Sequence, residues 1–296
     1  MNPEIAAVRE MVAQGFLPEN TKLDVAAQRA SMDAFAGMMP LLEGTKVEPV
    51  TLGGVKGERI AAPGATASRA ILYLHGGGYV IGSPASHRPL VAQFSAASGA
   101  TAYSMDYPLA PEHPFPQGLD AAVAAYRALM GEGVKPQNIV IAGDSAGGGL
   151  TLATALKLRE LNVPKPAGLF CMSPWSDLTF AGESHRSHTA RDPMVGKALL
   201  DQMSQMYLAK TPATNTYASP ALADYKEMPP ILIHVGTEEV LLSDSIAVAH
   251  KAGLAGVECT LMIAPEMVHV FHAFFPMLTA ARTAIAGAGA WIKAKT

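Results

Sequence analysis

Residues 138–150, Asn-Ile-Val-Ile-Ala-Gly-Asp-Ser-Ala-Gly-Gly-Gly-Leu, restrict the possible folds more than any other stretch of the chain. A β-branched run at Ile139, Val140 and Ile141 stops at Gly143-Asp144-Ser145-Ala146-Gly147. It gives way to Leu150-Thr-Leu-Ala-Thr-Ala-Leu-Lys-Leu-Arg, good helix formers with apolar residues at helical spacing. Strand, five-residue turn, helix is the setting in which a Gly-x-Ser-x-Gly turn forces its serine outward. Glycine at 143 and 147 removes the β-carbons that would collide in so sharp a reversal. Ser145 is therefore the candidate nucleophile. A serine hydroxyl at neutral pH also needs a base, an acid to orient that base, and donors for an oxyanion.

The rest of the chain alternates strands with helices. Asn2-Pro3-Glu4 reads as an N-cap, a proline at the first helical position and a first-turn acid, with Ile5, Val8 and Val12 following at three- and four-residue steps. A second helical pattern runs through Val25, Met32, Phe35 and Met39 and ends near 37–40. Two helices ahead of any strand form either a cap or an ordinary packing pair. Residues 46–52 and 55–61, joined by Gly53-Gly54, predict a hairpin. Further strands are expected at 70–75, 101–105, 139–141, 167–172, 231–235 and 258–263. Helices are expected at 89–98, 117–130, 196–208 and 243–255, with a last one ending at 294. The alternation predicts an α/β fold whose sheet is mostly parallel, with an antiparallel hairpin on one edge. It lapses between Trp175 and Pro220, where Met194, Met203, Met206 and Tyr207 lie in a polar, partly helical insertion. These methionines fill a core, line an apolar pocket, or do both.

Composition excludes several classes. With 49% hydrophobic and 16% charged residues, 296 residues supply a core and are far from the disordered class. A net charge of -3 offers no general attraction to nucleic acid or an anionic membrane. Cys171 and Cys259, the two cysteines, each sit in an apolar run, which predicts two buried thiols and a reducing compartment. Glu4, Arg9 and Glu10 interrupt any secretory-signal core, and no apolar stretch reaches the length of a membrane span. The expectation is a cytoplasmic protein without a membrane span.

The later chain offers the partners that Ser145 needs, in the order Ser, acid, His. Val235-Gly-Thr-Glu-Glu239 follows one late strand and Ala264-Pro-Glu-Met-Val-His269 follows the next. His75-Gly76-Gly77-Gly78 follows an early strand, where an oxyanion loop belongs. With Asp106-Tyr-Pro-Leu-Ala-Pro-Glu-His-Pro-Phe-Pro116 and Gly143-Asp-Ser-Ala-Gly-Gly148, these blocks make the chain resemble the hormone-sensitive lipase family of carboxylesterases over nearly its whole length.

The resemblance implies an eight-stranded α/β-hydrolase core built from 46–177 and 219–296, flanked by helices. A helical cap would come from residues 1–45 and from an insertion at 178–218. It implies Ser145 as nucleophile, His269 as base, and the amides of Gly76, Gly77 and Ala146 as oxyanion hole. Family members usually carry Asp at the acid position. Glu239 aligns there, with Glu238 and Asp244 as the alternatives. Pro108 stands where many relatives have Arg, which removes any salt bridge that Arg would make. The implied substrate is a small-molecule ester of short to medium acyl chain, with no cofactor. Phe35, Met203, Tyr207 and Tyr79 are candidate substrate contacts, and Tyr79 either meets substrate or fills space beside the oxyanion loop. A homodimer is expected by analogy alone.

Competing readings are weaker. Ile81 stands where a dinucleotide-binding Gly-x-Gly-x-x-Gly starting at Gly76 needs its last glycine. His185 with His188, and His269 with His272, have spacings that suggest metal but lack a convergent third ligand. His185 and His188 are therefore read as exposed histidines, and His272 as a neighbour on the final helix. His75 anchors its loop, Asp106 and Glu112 hold the surrounding loops, and Asp144 is a turn residue outside the proton transfer. A non-catalytic binding protein on the same fold, as in plant gibberellin receptors, would lack the histidine found here at 269. An amide or formamide hydrolase would share the triad.

Overall fold

A computed structural model describes residues 3–14 and 22–296, so the expected cap at Asn2 lies outside the described residues. Within them the strands are β1 (Lys46–Leu52), β2 (Val55–Ala61), β3 (Thr66–Leu74), β4 (Ala100–Met105), β5 (Ile139–Asp144), β6 (Gly168–Met172), β7 (Ile231–Gly236) and β8 (Cys259–Ala264). They form one sheet in the order β1-β2-β4-β3-β5-β6-β7-β8. β2 pairs antiparallel with β1 and with β4, and every other pairing is parallel. This is the α/β-hydrolase architecture, with the hairpin on one edge.

The helices are α1 (Pro3–Gln14), α2 (Val25–Gly37), α3 (Pro84–Ser98), α4 (Gln117–Gly131), α5 (Ala146–Glu160), α6 (Ser184–Ser187), α7 (Lys197–Leu208), α8 (Leu242–Leu254) and α9 (Thr279–Lys295). Side chains alternate across a strand, so β3 feeds two cores. Leu72 and Leu74 pack in a cluster with Leu119 of α4, Leu150 of α5 and Val248 of α8. Ile71 and Tyr73 pack in the other, with Phe94 of α3 and Ile285 of α9. Ile5 and Val8 of α1 join that second cluster. The Glu4 carboxylate accepts hydrogen bonds from the amide and hydroxyl of Thr279, at the start of α9, each at 2.8 Å. The first helix is thus a packing element, whereas residues of both α2 and α7 line one cavity with Ser145.

Three expectations need correction. Helix α3 begins at Pro84, not Pro89. Ser83 and Ser86 form a reciprocal capping box with Pro84 in the first turn, and the helix absorbs the amide missing at Pro89. Cys259 is only half-buried, because β8 is an edge strand, whereas Cys171 in the interior strand β6 is fully buried. His272 lies in a separate turn of 3-10 helix, Phe271–Phe274, ahead of α9.

The β5–α5 junction holds Ser145 at φ 52° and ψ −121°, a strained backbone for a residue with a β-carbon. Its amide donates to the Met172 carbonyl at 2.8 Å, and its own carbonyl accepts from Trp175 at 2.8 Å and Gly149 at 3.1 Å. A β-carbon at Gly143 would lie 2.4 Å from the Gly147 carbonyl oxygen, and one at Gly147 would lie 1.9 Å from that of Leu74. Neither neighbour is a flexible side chain that could swing away. Gly147→Ala is expected to destabilise the fold by about 3 kcal/mol or more, read as a lower midpoint of urea unfolding. An unchanged midpoint would show that the turn has slack.

Candidate active site

Ser145, Glu239 and His269 follow β5, β7 and β8, so parallel strands deliver all three to the carboxyl edge of the sheet, where ligands bind in such folds. The structure brings Ser145 and His269 together on the wall of one cavity of about 420 Å³. Fully buried Glu239 reaches His269, with Oε2 2.8 Å from Nδ1. The other carboxylate oxygen accepts from the Ser173 hydroxyl at 2.8 Å and the Gly236 amide at 2.5 Å. With Nδ1–H donated to Glu239, Nε2 is the ring nitrogen left to accept a proton.

Burial alone would depress the pKa of His269. The hydrogen bond and charge of Glu239, reinforced by Asp192 and Asp144, overcome that and hold it above the ordinary histidine value. Glu239 stays above the usual carboxylate range, because burial outweighs its bonds to His269 and Gly236.

The two alternative acids are engaged elsewhere. Glu238 pairs with Arg9 and Arg191. Asp244 accepts from the amides of Ser176 and Asp177 at 2.9 and 2.8 Å, and lies 2.7 Å from His185 Nε2. This corrects the expectation for His185, which is buried against that carboxylate rather than exposed. His272 packs its Nε2 3.0 Å from His234 Nδ1, and burial keeps it far below the ordinary histidine pKa.

The loop after β3 departs from expectation at Gly76. Its amide donates to Asp144 Oδ1 at 3.0 Å, so it is not free to meet an oxyanion. Gly77 and Gly78 line the cavity with Ser145 instead. Ala146, the first residue of α5, carries an amide for which a helix provides no internal acceptor.

Asp144 is more than a turn residue. It also accepts from the Tyr73 hydroxyl at 2.7 Å and lies 3.3 Å from His87 Nε2. Although burial opposes its charge, His87 and Tyr73 bring its pKa down to about 2, and Asp144 in turn raises that of His87. His75 is held neutral, at about 3, chiefly by burial and then by the charge of His87, and its ring stacks on Tyr107. From α2, Arg29 grips the same region, donating to the carbonyls of Val80 and Ala110 and to the Glu112 carboxylate. Asp106 takes part through its amide, which donates to the Lys56 carbonyl.

Of the four candidate substrate contacts, Phe35 and Met203 line the cavity and Tyr79 and Tyr207 do not. The two tyrosines stack on each other, 3.8 Å apart at 6°, buried behind the loop, and the Tyr79 hydroxyl donates to the Trp175 carbonyl. Met32, Met39 and Met194 line the cavity as well, whereas half-buried Met206 packs against the core.

Sequence reasoning missed Ser173 and Asp192. The Ser173 hydroxyl bridges Glu239 and the amide of Val270, next to the histidine. Asp192 accepts from the amides of Val240, Met194 and Val195, joining the insertion to the acid's loop. For Ser173 a signal existed: a lone polar residue ending the apolar run of β6, at the edge where the site forms.

Comparison with known proteins shows what the chain is similar to. A family model described as alpha/beta hydrolase fold matches residues 71–273. An acetyl-hydrolase of Streptomyces hygroscopicus is 40% identical over 100% of this chain and 98% of its own. The crystal structure of EstE5 soaked with p-nitrophenyl butyrate superposes with a TM-score of 0.96 at 43% identity, covering 100% of this chain and 99% of that one. An esterase from the bacterial hormone-sensitive lipase family gives 0.95 at 38% identity, with the same coverage.

His269 must be neutral to accept a proton, so kcat/KM for p-nitrophenyl acetate is expected to fall on acidification through a pKa above the ~6.5 of free histidine. Glu239→Gln removes the partner that raises it, so the acid limb should move to lower pH while the plateau drops about 10²- to 10⁴-fold. An unshifted limb with full activity would remove Glu239 from the site.

Proposed function

The chain belongs to the hormone-sensitive lipase family of α/β hydrolases and is a carboxylic ester hydrolase, and on that premise we propose that it works through an acyl-enzyme on Ser145. The observation that carries this is the bond of 2.8 Å between Glu239 and His269, on the wall of the cavity that Ser145 shares. Ser145 Oγ attacks the ester carbonyl while His269 Nε2 takes its proton. The carbonyl electrons move onto oxygen, held by the amides of Gly77, Gly78 and Ala146. A lost donor of this kind costs ~3 kcal/mol of transition-state stabilisation. Collapse expels the alkoxide, which receives the proton from His269 and leaves as the alcohol. Water, deprotonated by His269, then attacks the acyl group, and Ser145 leaves with the proton returned. Glu239 stabilises the imidazolium in both halves.

The substrate is an ester with a short to medium acyl chain. Helices α2 and α7 form a cap over the cavity, whose volume is about 420 Å³. Met203 presses against the oxyanion loop there, since a β-carbon at Gly78 would lie 2.1 Å from its sulfur. That wall limits the acyl chain.

Two outcomes are expected with p-nitrophenyl esters. Activity should be high on acetate, butyrate and octanoate and fall sharply at palmitate, and an optimum on palmitate would overturn the chain-length assignment. Ser145→Ala should lose activity on the order of 10⁴-fold or more. Retained turnover would place the nucleophile elsewhere.

A further inference from the structure

A second hollow of about 250 Å³ adjoins the catalytic cavity, and Phe35, Met39 and Phe274 line both. Its remaining walls are Met11 of α1, Met38 and Pro40 at the end of α2, and Pro276 and Met277 ahead of α9. The surface around it is unusually apolar. Met38 is 77% exposed, Leu41 41%, Met277 38% and Phe35 36%. Large exposed side chains of this kind, gathered at the rim of a pocket, mark a contact surface.

The chemistry of the reaction decides which part of a substrate would reach it. His269 must hand its proton to the leaving oxygen, so the alcohol portion starts beside His269. The chain that follows, through Val270, Ala273 and Phe274, is the adjacent wall of the cavity. Continuing along that wall past Phe274 leads to Pro276 and Met277, and so to the outer groove. The acyl portion begins at Ser145, beneath the Gly78–Met203 contact of the other wall.

We propose that this groove is a subsite for the alcohol portion of the substrate, so that esters of a small acid with an extended apolar alcohol are good substrates. The assignment rests on the acyl-enzyme reading above and adds the direction in which the leaving group lies. Short acyl groups and long alcohols are then compatible in one enzyme, because the two chains occupy different walls.

The test compares two series, both kept below the solubility limit. One is ethyl, butyl, hexyl and octyl acetate, followed by acid release. The other is p-nitrophenyl acetate through octanoate. In the wild type, kcat/KM should rise about two- to fourfold per methylene along the alkyl acetates. Met38→Glu combined with Met277→Glu places charge in the groove. It should cut the octyl-to-ethyl acetate ratio about tenfold and leave the octanoate-to-acetate ratio of the p-nitrophenyl esters unmoved. Leu254→Glu, at a position 75% exposed on α8, serves as the control and should alter neither ratio. An unchanged alkyl acetate ratio in the double variant would overturn the proposal. A fall in the p-nitrophenyl ester ratio instead would make the groove an acyl subsite. Two further arms are octyl acetate added above its solubility limit and sedimentation velocity of the double variant: a loss confined to the emulsion would make the groove a lipid-surface contact, and a change only in sedimentation would make it a contact between copies. Each of these results also rejects the alcohol subsite. Failure of the acyl-enzyme reading itself is separately visible, as p-nitrophenyl acetate turnover that survives Ser145→Ala.

Discussion

The edge of the sheet that carries the candidate site depends on a buried carboxylate beside Ser145. Asp144 lies next to Ser145 in the tight turn, and its two oxygens hold the Gly76 amide, the Tyr73 hydroxyl and the His87 ring. An unpaired charge at such a site would cost several kcal/mol, so the surrounding groups must be assembled for the turn to exist. Once they are, the loop after β3 is fixed relative to the serine. Gly76 is drawn so close that a β-carbon there would lie 2.1 Å from Asp144 Oδ2. Gly77 and Gly78 are thereby set beside Ser145.

The same device recurs along the edge. Asp244 is paired with His185, and Glu239 with His269, each carboxylate also accepting backbone amides. What separates the three pairs is what else each histidine meets. His185 is closed in beneath α8, and His87 is capped by Ser83 and Ser86. His269 lies on the wall of the cavity that Ser145 also lines, with Nδ1 toward Glu239. Two pairs hold loops, and the third is the one proposed above to move protons.

The strand-turn-helix at Ser145, the hairpin edge and the order of the late strands were legible because they rest on local periodicity and on glycine positions that sterics dictate. Glu239 could be preferred to Glu238 and Asp244 only by family alignment, since all three are carboxylates within seven residues and spacing does not say which one points at a histidine. Loop contacts were less legible still. Gly76 and Gly77 are identical as residues, and only the position of Asp144 decides which amide is consumed. Tyr79 and Tyr207 are far apart in sequence, so their stack, which removes both from the cavity, follows from how α7 docks. His185 lacks a convergent metal ligand in sequence and stands in a polar stretch, yet a single buried acid from α8 draws it inside.

The most direct measurement of the central claim is the mass of the protein quenched in acid during turnover of p-nitrophenyl butyrate, followed by peptide mapping. The mechanism predicts one butyryl group per chain, on the peptide that holds Ser145, and none in the Ser145→Ala protein. A butyryl group on any other residue, or steady turnover by the Ser145→Ala protein, would contradict it.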